Sequence, residues 1–191
     1  MSTASRTATT PRLDALVDAV RAAVNRREAP DRTADLVADA LPPFLADPGL
    51  LPASALRADP ERYTQHLLHV EPGGAFSLVA LVWLPGQATP VHDHVAWCVT
   101  GVHIGAEDET RYALDGPDDD RHLVPVGGAV NGAGSTCGFA PPGDIHRVSN
   151  AGDGLAVSLH VYGADIGRLG SSVRRVYDLP VRERARENRG G

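Results

Sequence analysis

The sequence predicts a mainly β protein, an antiparallel barrel or jelly roll preceded by short α-helices. Three observations support this prediction. Helical periodicity is confined to the first third of the chain, short segments rich in Leu and Val follow it, and glycines and prolines separate those segments. Several short strands with turn residues between them favour antiparallel sheets over repeated βαβ units.

The N-terminal helices are indicated by apolar residues three or four positions apart, which lie on one face of a helix. In the first helix these residues are Leu16, Val17, Val20 and Val24. A second helix is predicted over residues 33–41, with Thr33 as its N-cap. Pro42 and Pro43 are expected to end or bend that helix.

Strands are predicted from about residue 66 onward. The segments are 66–71, 76–84, 97–105, 110–114, 122–126 and 154–162. The chain is therefore divided into four parts by composition and pattern. These are a disordered N terminus at 1–11, a helical segment at 12–60 that packs on the barrel, the barrel at 61–180, and a flexible charged tail at 181–191.

Composition excludes several classes of function. The net charge of -6 argues against a nucleic-acid partner or an anionic membrane surface. No apolar run approaches the roughly 20 residues that span a bilayer, and the N terminus lacks the apolar core of a signal peptide. The two cysteines, Cys98 and Cys137, provide no disulfide framework. We expect a cytoplasmic protein that is a monomer or small homo-oligomer, without nucleic-acid or membrane partners.

The segment "PVHDHVAW" at residues 90–97 places two histidines two positions apart. In a strand, His92 and His94 would share one face, so they are either polar residues at a strand end or half of a metal site. A third histidine, His146, follows a turn rich in Pro and Gly in "PPGDIHRVSN" at residues 141–150. Three such ligands would leave coordination positions open for a substrate and oxygen.

The spacing of these two segments resembles the paired motifs of the cupin superfamily, whose fold is a double-stranded β-helix barrel. The usual cupin has a glutamate ligand shortly after the histidine pair, where this chain has Cys98. Without that anionic ligand a divalent metal would keep its full charge, which favours an anionic substrate donor such as a thiolate. Alternatively, Cys98 is simply a small buried hydrophobic residue.

Residues 60–165 resemble the cysteine dioxygenase type of thiol dioxygenases. The matching segments are "YTQ" at 63–65, "PVHDHVAWCVTGVHIGAEDETRY" at 90–112, "HRVSN" at 146–150 and "SLHVY" at 158–162. The resemblance implies non-haem iron(II) held by His92, His94 and His146. It also implies O2-dependent oxidation of a small thiol to its sulfinate.

The resemblance further implies a hydrogen-bonded relay of Ser158, His160 and Tyr162. Strand alternation places these three side chains on one face. The tyrosine hydroxyl could donate to bound oxygen or to a substrate carboxylate, with His160 fixing its orientation. The alternative is a strand whose polar residues merely pack the barrel interior. Part of this family forms a thioether between a cysteine near the metal and the relay tyrosine, and such a link here would join Cys98 to Tyr162.

The substrate's far end is expected to meet Gln65, which replaces the arginine of cysteine-selective enzymes. Glutamine offers a neutral hydrogen bond where arginine would form a bidentate, charged one. The glutamine form resembles bacterial 3-mercaptopropionate dioxygenases, in which a downstream arginine can bind the carboxylate. Arg168 is the candidate here, with Arg174 and Arg175 also available, unless this stretch is simply a solvated basic segment.

The predicted function is thus an iron(II) thiol dioxygenase for cysteine or 3-mercaptopropionate, with Gln65, Cys98 and Arg168 near the substrate. Two alternatives remain open at this point. One is a cupin oxygenase or isomerase for a non-thiol substrate, for which three histidines could equally hold zinc. The other is a non-catalytic metal-binding sensor.

Overall fold

The computed structural model describes residues 9–183. The helices are α1 Pro11–Val24, α2 Pro30–Ala40, α3 Pro42–Leu45 and α4 Ile166–Leu169, with 3-10 turns at Ala53–Leu56 and Asp118–Asp120. The strands are β1 Thr64–Val70, β2 Ser77–Trp83, β3 His92–His94, β4 Cys98–Ile104, β5 Ala106–Asp115, β6 His122–Gly132, β7 Thr136–Phe139, β8 His146–Asn150, β9 Ala156–Tyr162 and β10 Val173–Val176. No helix within the described residues is long and apolar enough to cross a bilayer.

The strands between residues 9 and 183 form two five-stranded sheets, in the orders β1-β2-β9-β4-β7 and β10-β3-β8-β5-β6. Neighbouring strands are antiparallel in both sheets. From β7 onward each new strand joins the opposite sheet from the one before it. This is the double-stranded β-helix, so the predicted mainly β jelly roll with N-terminal helices is confirmed.

All seven residues of strand β9 are buried, but the two faces of the strand meet different environments. Val157, Leu159 and Val161 belong to one apolar cluster with the N-terminal helices. The alternate residues of the strand face the space between the two sheets. The polar side chains of Ser158 and His160 are therefore enclosed in the barrel interior.

The N-terminal helices cover the outer face of the first sheet. The buried stripe of α1 consists of Leu13, Leu16, Val17, Val20 and Ala23. At Gly101 in β4, an added Cβ would lie 2.8 Å from the Leu41 side chain, which is closer than side chains tolerate. The missing side chain of Gly101 thus lets the segment after α2 lie directly on the sheet.

Helix α2 differs from the sequence prediction at its start. It begins at Pro30, whose fixed backbone angle suits the first helical position. Thr33 lies inside the helix, and its hydroxyl donates to the Glu28 carbonyl oxygen at 3.1 Å. The prediction that Thr33 caps this helix is therefore wrong. The break expected at Pro42 is present: α2 ends at Ala40, and a separate helix, α3, begins at Pro42.

The ordered chain extends further at both ends than the sequence predicted. Thr10 caps α1 by accepting a hydrogen bond from the Leu13 backbone N–H, and Pro11 is already helical. At the other end Val181 bridges to Leu123, and Arg182 forms an ion pair with Asp120. Thr10, Val181 and Arg182 therefore contact other residues of the described chain. The remainder of the predicted disordered ends, residues 1–8 and 184–191, lies outside the described residues.

The strand prediction also needs correction. Strands β5 and β6 have 10 and 11 residues, about twice the predicted length, because their polar and glycine-rich portions pair with each other at a partly exposed edge. Strands β7 and β10 were not predicted. Both are four residues long, too short for alternation to identify them.

Candidate metal centre

Three histidines on strands of the second sheet lie close together in the barrel interior. His92 and His94 lie on β3, and His146 begins the adjacent strand β8, directly opposite His92. Their exposed fractions are 5%, 2% and 3%. One ring nitrogen of each lies within 4.8 Å of the others, a grouping that can hold a metal ion. The structure thus brings together the three histidines that the sequence singled out.

Two buried carboxylates each accept a hydrogen bond from the Nδ1 atom of one of these histidines. Asp144 accepts hydrogen bonds from both the backbone N–H and the ring Nδ1 of His94, at 2.8 and 3.1 Å. Glu109 on β5 accepts from the Nδ1 of His146 at 2.8 Å. Such partners hold an imidazole in one tautomer and raise its basicity toward a metal.

His92 is oriented in the same way by the backbone. Its Nδ1 lies 3.0 Å from the Pro90 carbonyl oxygen, an acceptor that places the ring proton on Nδ1. With all three Nδ1 atoms donating, the Nε2 atom of each histidine presents a lone pair. Three neutral imidazole donors fit a divalent metal ion.

Burial keeps the two histidines of β3 in the neutral, metal-binding form. Burial, together with the neighbouring rings of His146 and His94, lowers the pKa of His92 to about 4. Burial also lowers the pKa of His94, against the opposing effect of its hydrogen bond to Asp144. Burial alone would raise the pKa of Glu109, but hydrogen bonds from His146 and Arg111 outweigh it and lower that pKa to about 2.

A hydrogen-bonded relay lies beside the three histidines on β9. The Ser158 Oγ lies 3.0 Å from His160 Nε2, and His160 Nδ1 lies 3.2 Å from the Tyr162 hydroxyl. The Tyr162 ring centroid is 5.9 Å from that of His94. Burial and the neighbouring histidines lower the pKa of His160 to about 3, so its ring carries a single proton near neutral pH. The relay can therefore reorganise its protons without charging the imidazole.

A cavity of about 320 Å³ of empty space, part of it open to solvent, gives access to this cluster. Its lining includes Tyr63, Gln65, Ser172, Tyr162 and the three histidines. Gln65 is exposed at its mouth, and the Tyr63 ring stacks on Trp83 with centroids 4.7 Å apart. Among the described residues that line the cavity there is no lysine or arginine.

Cys98 occupies a different position from the one predicted. It is fully buried, and it lies opposite Tyr162 in the register of β4 and β9. Burial raises the pKa of its thiol, and the residue is absent from the cavity lining. Cys98 therefore lies opposite Tyr162 of the relay and outside the lining of the cavity.

The predicted arginines do not reach the cavity. Arg168 is exposed on α4 and lines a separate surface depression with Glu71 and Asp165. The Arg174 guanidinium donates to Asp93, which also accepts from the Tyr177 hydroxyl at 2.8 Å. Asp93 points away from the neighbouring histidines, as alternation predicts, and these contacts tie β10 to β3. The structure thus gives Arg168 no place in substrate binding.

Sequence reasoning missed the carboxylates that contact the histidines. Asp144 lies two residues before His146, yet it binds His94 from the other segment. Glu107 and Glu109 alternate along β5, so both face the interior. That alternation in "EDE" at 107–109 was the available signal, because acidic residues on an interior strand face are almost never buried unless they are paired.

The sequence matches the family model described as "Cysteine dioxygenase type I" over residues 3–169. The chain belongs to the cysteine dioxygenase type I family. The matched part includes all three clustered histidines and the whole relay on β9. It ends at α4, so β10 lies beyond the part matched to the cysteine dioxygenase model.

This member of the cysteine dioxygenase type I family is also similar, at low identity, to several solved structures. TT1209 from Thermus thermophilus is 22% identical with a TM-score of 0.43, over 60% of this chain and 96% of that chain. A double-stranded beta-helix protein from Klebsiella pneumoniae is 18% identical with a TM-score of 0.43, over 59% and 85%. Oxalate oxidase is 22% identical with a TM-score of 0.45, over 60% of this chain and 59% of its own. At these identities the likeness concerns the fold alone.

Proposed function

We propose that this chain is a non-haem iron(II) thiol dioxygenase that oxidises a small thiol, cysteine or 3-mercaptopropionate, with O2 to the sulfinate. The observation that carries the proposal is the buried trio of histidine side chains beside a three-residue hydrogen-bonded relay. Membership of the cysteine dioxygenase type I family supports the same reaction class.

In this proposal His92, His94 and His146 hold the metal. Glu109 and Asp144 are each occupied by a histidine Nδ1, so they orient the ligands rather than join them. The ligand set is therefore neutral, which favours an anionic sulfur donor from the substrate. When bound, iron(II) supplies a redox-active centre with coordination positions open to a thiolate and O2.

The chain's own contribution to proton handling lies in Tyr162. Burial raises its pKa well above the ordinary value, so the side chain remains a neutral phenol that can donate a hydrogen bond toward the cavity. His160 fixes the orientation of that hydroxyl, and Ser158 fixes the orientation of His160. This arrangement positions a single donor beside the substrate without introducing a charge.

Substrate selection is assigned to neutral donors, chiefly Gln65 with the hydroxyls of Tyr63 and Ser172. Because no cationic side chain lines the cavity within residues 9–183, a substrate carboxylate would receive hydrogen bonds from uncharged donors only. Each such bond to a charged acceptor contributes about 1.5–3 kcal/mol, but the site lacks the bidentate contact between opposite charges that an arginine would provide. We therefore propose modest discrimination between thiols with and without a carboxylate, in a reducing cytoplasm where such thiols persist.

The test is oxygen consumption by the iron-loaded protein with L-cysteine, 3-mercaptopropionate, cysteamine and mercaptosuccinate at equal concentrations. The expected product is a sulfinate that carries both atoms of isotopically labelled O2, as detected by mass spectrometry. Zinc-loaded protein and the His146→Ala variant serve as controls and should consume no oxygen. Absence of thiol-dependent uptake with every member of the panel would overturn the proposal.

A further inference from the structure

Glu107 is a buried acidic residue that the proposed chemistry does not yet use. It lies on β5 with an exposed fraction of 1%, on the same interior face as Glu109. Within the described part of the chain, its Oε1 atom has no hydrogen-bond partner. A buried carboxylate lacking a full set of partners is costly, so its presence needs a physical reason.

The surroundings of Glu107 connect it to the relay. The nearby Ser158 hydroxyl and Trp83 indole N–H both lower the pKa of its carboxyl. The Trp83 Nε1 also donates to Ser158 Oγ at 3.3 Å. Since Ser158 in turn contacts His160, Glu107 stands at the end of the relay opposite to Tyr162.

We propose that Glu107 is a positioning residue whose protonation state, passed on through Ser158, sets the direction of the hydrogen bonds that lead to Tyr162. The hydrogen-bonding part of this inference stands on the geometry of the chain. Its consequence for turnover rests on the proposed dioxygenase function.

In the ionised state the hydrogen bonds run from Tyr162 toward Glu107. The Ser158 hydroxyl donates to the Glu107 carboxylate, and Ser158 Oγ accepts from the indole of Trp83 and from Nε2–H of His160. The unprotonated Nδ1 of His160 then accepts the hydroxyl proton of Tyr162. In this state the Tyr162 hydroxyl is turned toward the relay and away from the cavity.

In the neutral state the direction is reversed. The acid O–H of Glu107 donates to Ser158 Oγ, whose own hydroxyl now donates to His160 Nε2. The ring proton of His160 sits on Nδ1 and donates to Tyr162, so the Tyr162 hydroxyl proton is free to point into the cavity. The two states differ by one proton taken up from solvent at Glu107, and no other group changes its charge.

The electrostatic surroundings suit a carboxyl that changes state near neutral pH. Burial raises the pKa of Glu107 to about 7, against the hydrogen bonds from Ser158 and Trp83, and the negative Glu109 adds to the increase. The other titratable groups facing the same small cavity are Cys137 on β7 and His146 on β8, with His160 reached through Ser158 on β9. No lysine or arginine among the described residues lines that cavity.

The direct test is the tautomer of His160, followed by nitrogen-15 NMR of the histidine rings. It uses the full-length protein loaded with diamagnetic Zn²⁺, from about pH 5.5 to about pH 8.5, with the His160 signals assigned by their loss in His160→Asn. In the wild type the ring proton should move from Nδ1 to Nε2 as the pH rises. In Glu107→Gln it should stay on Nδ1 throughout, because the amide N–H of glutamine donates to Ser158 as the neutral acid does.

Two further variants complete the test. Asp108→Asn, on the opposite face of the same strand, should titrate like the wild type. Ser158→Ala removes the hydroxyl that connects Glu107 to His160, so the His160 tautomer should no longer change with the protonation state of Glu107. This variant tests the proposal if Glu107→Gln does not fold. A wild-type His160 that keeps one tautomer at every pH, or a Glu107→Gln variant that switches as the wild type does, would overturn the proposal.

A kinetic measurement separates this inference from the proposed function. If the chain is a thiol dioxygenase, kcat should fall as the pH rises through neutrality, and Glu107→Gln should abolish that step with KM and iron content unchanged. Wild-type protein without thiol-dependent turnover would refute the proposed function, while the NMR result would still decide the role of Glu107. If the fall in kcat with rising pH persists in Glu107→Gln, the protonation state of Glu107 does not control turnover.

Discussion

The Nδ1 atom of His146 lies 2.8 Å from the Oε1 atom of Glu109, across the paired strands β8 and β5. The other carboxylate oxygen of Glu109 accepts from Arg111 at 3.1 Å. Glu109 is thereby held as a carboxylate, and the histidine is held with its Nε2 free. This contact places the negative charge of Glu109 beside a proposed metal ligand. The carboxylate itself does not occupy a coordination position of the metal.

Replacing Glu109 by Gln should weaken metal binding by about 10- to 100-fold, since the partner of a ligand histidine tunes its basicity. Metal affinity can be measured by competition with a chelator of known affinity. Asp108→Asn is the matched control, because it removes a neighbouring charge that faces away from the site. Wild-type affinity in Glu109→Gln would show that the contact is merely structural.

The ligand and relay roles should separate in two single variants. His146→Ala should lose iron content and thiol-dependent oxygen uptake together, because a two-histidine site binds the metal far more weakly. Tyr162→Phe should keep iron but reduce kcat by about 100-fold or more, the usual range for loss of a proton-handling group. Iron analysis alongside oxygen uptake checks both, and full turnover in His146→Ala would contradict the ligand assignment.

Cys98 and Tyr162 face each other across β4 and β9, a separation of about 5 Å between Cβ atoms in such pairs. We expect a thioether to form between them when the iron-loaded protein turns over with a thiol and O2. Intact-mass measurement of the denatured protein should show a loss of two hydrogens. Cys137→Ser should retain that loss and Cys98→Ser should lack it; an unchanged mass in every wild-type fraction contradicts the prediction.

The Arg21–Glu71 pair links α1 to the end of β1 and should make stability depend on pH. Two hydrogen bonds from Arg21, at 2.7 and 2.9 Å, lower the pKa of Glu71 despite the opposing effect of burial. The stabilisation is therefore complete above the unfolded-state pKa of about 4.3, and it is lost as the pH falls through the lower folded-state pKa.

Glu71→Gln should consequently lower the free energy of unfolding at pH 7 by about 1 kcal/mol, a modest value because Arg21 is partly exposed. The difference from wild type should shrink toward zero in acid. Thermal unfolding across the pH range measures it, with Asp18→Asn as a control for the more exposed partner of Arg21. A penalty that is the same in acid and at neutrality would exclude the pair as its cause.

The sequence could predict those parts of the site whose residues lie close together on a single strand. His92 and His94 are two apart on one strand, and Ser158, His160 and Tyr162 alternate along another, so their side chains share a face before any tertiary structure is known. The jelly roll was predictable for the same reason, because turn residues and short apolar segments mark successive antiparallel strands.

The parts that sequence could not predict depend on which strands become neighbours. Glu109 meets His146 only because β5 pairs with β8, and Asp144 meets His94 only because the turn before β8 passes over β3. Arg168 was a candidate by position after Tyr162, yet the short helix α4 turns its side chain to solvent. Local patterns carry no information about these long-range arrangements.

The short strand β3 is held between β8 and β10, whose residues follow it in the chain by more than fifty positions. During biosynthesis, a nascent polypeptide that has emerged only as far as β4 would expose His92 and His94 without either flanking partner. The three histidines of the proposed metal site can therefore come together only after β8, which carries His146, has emerged from the ribosome.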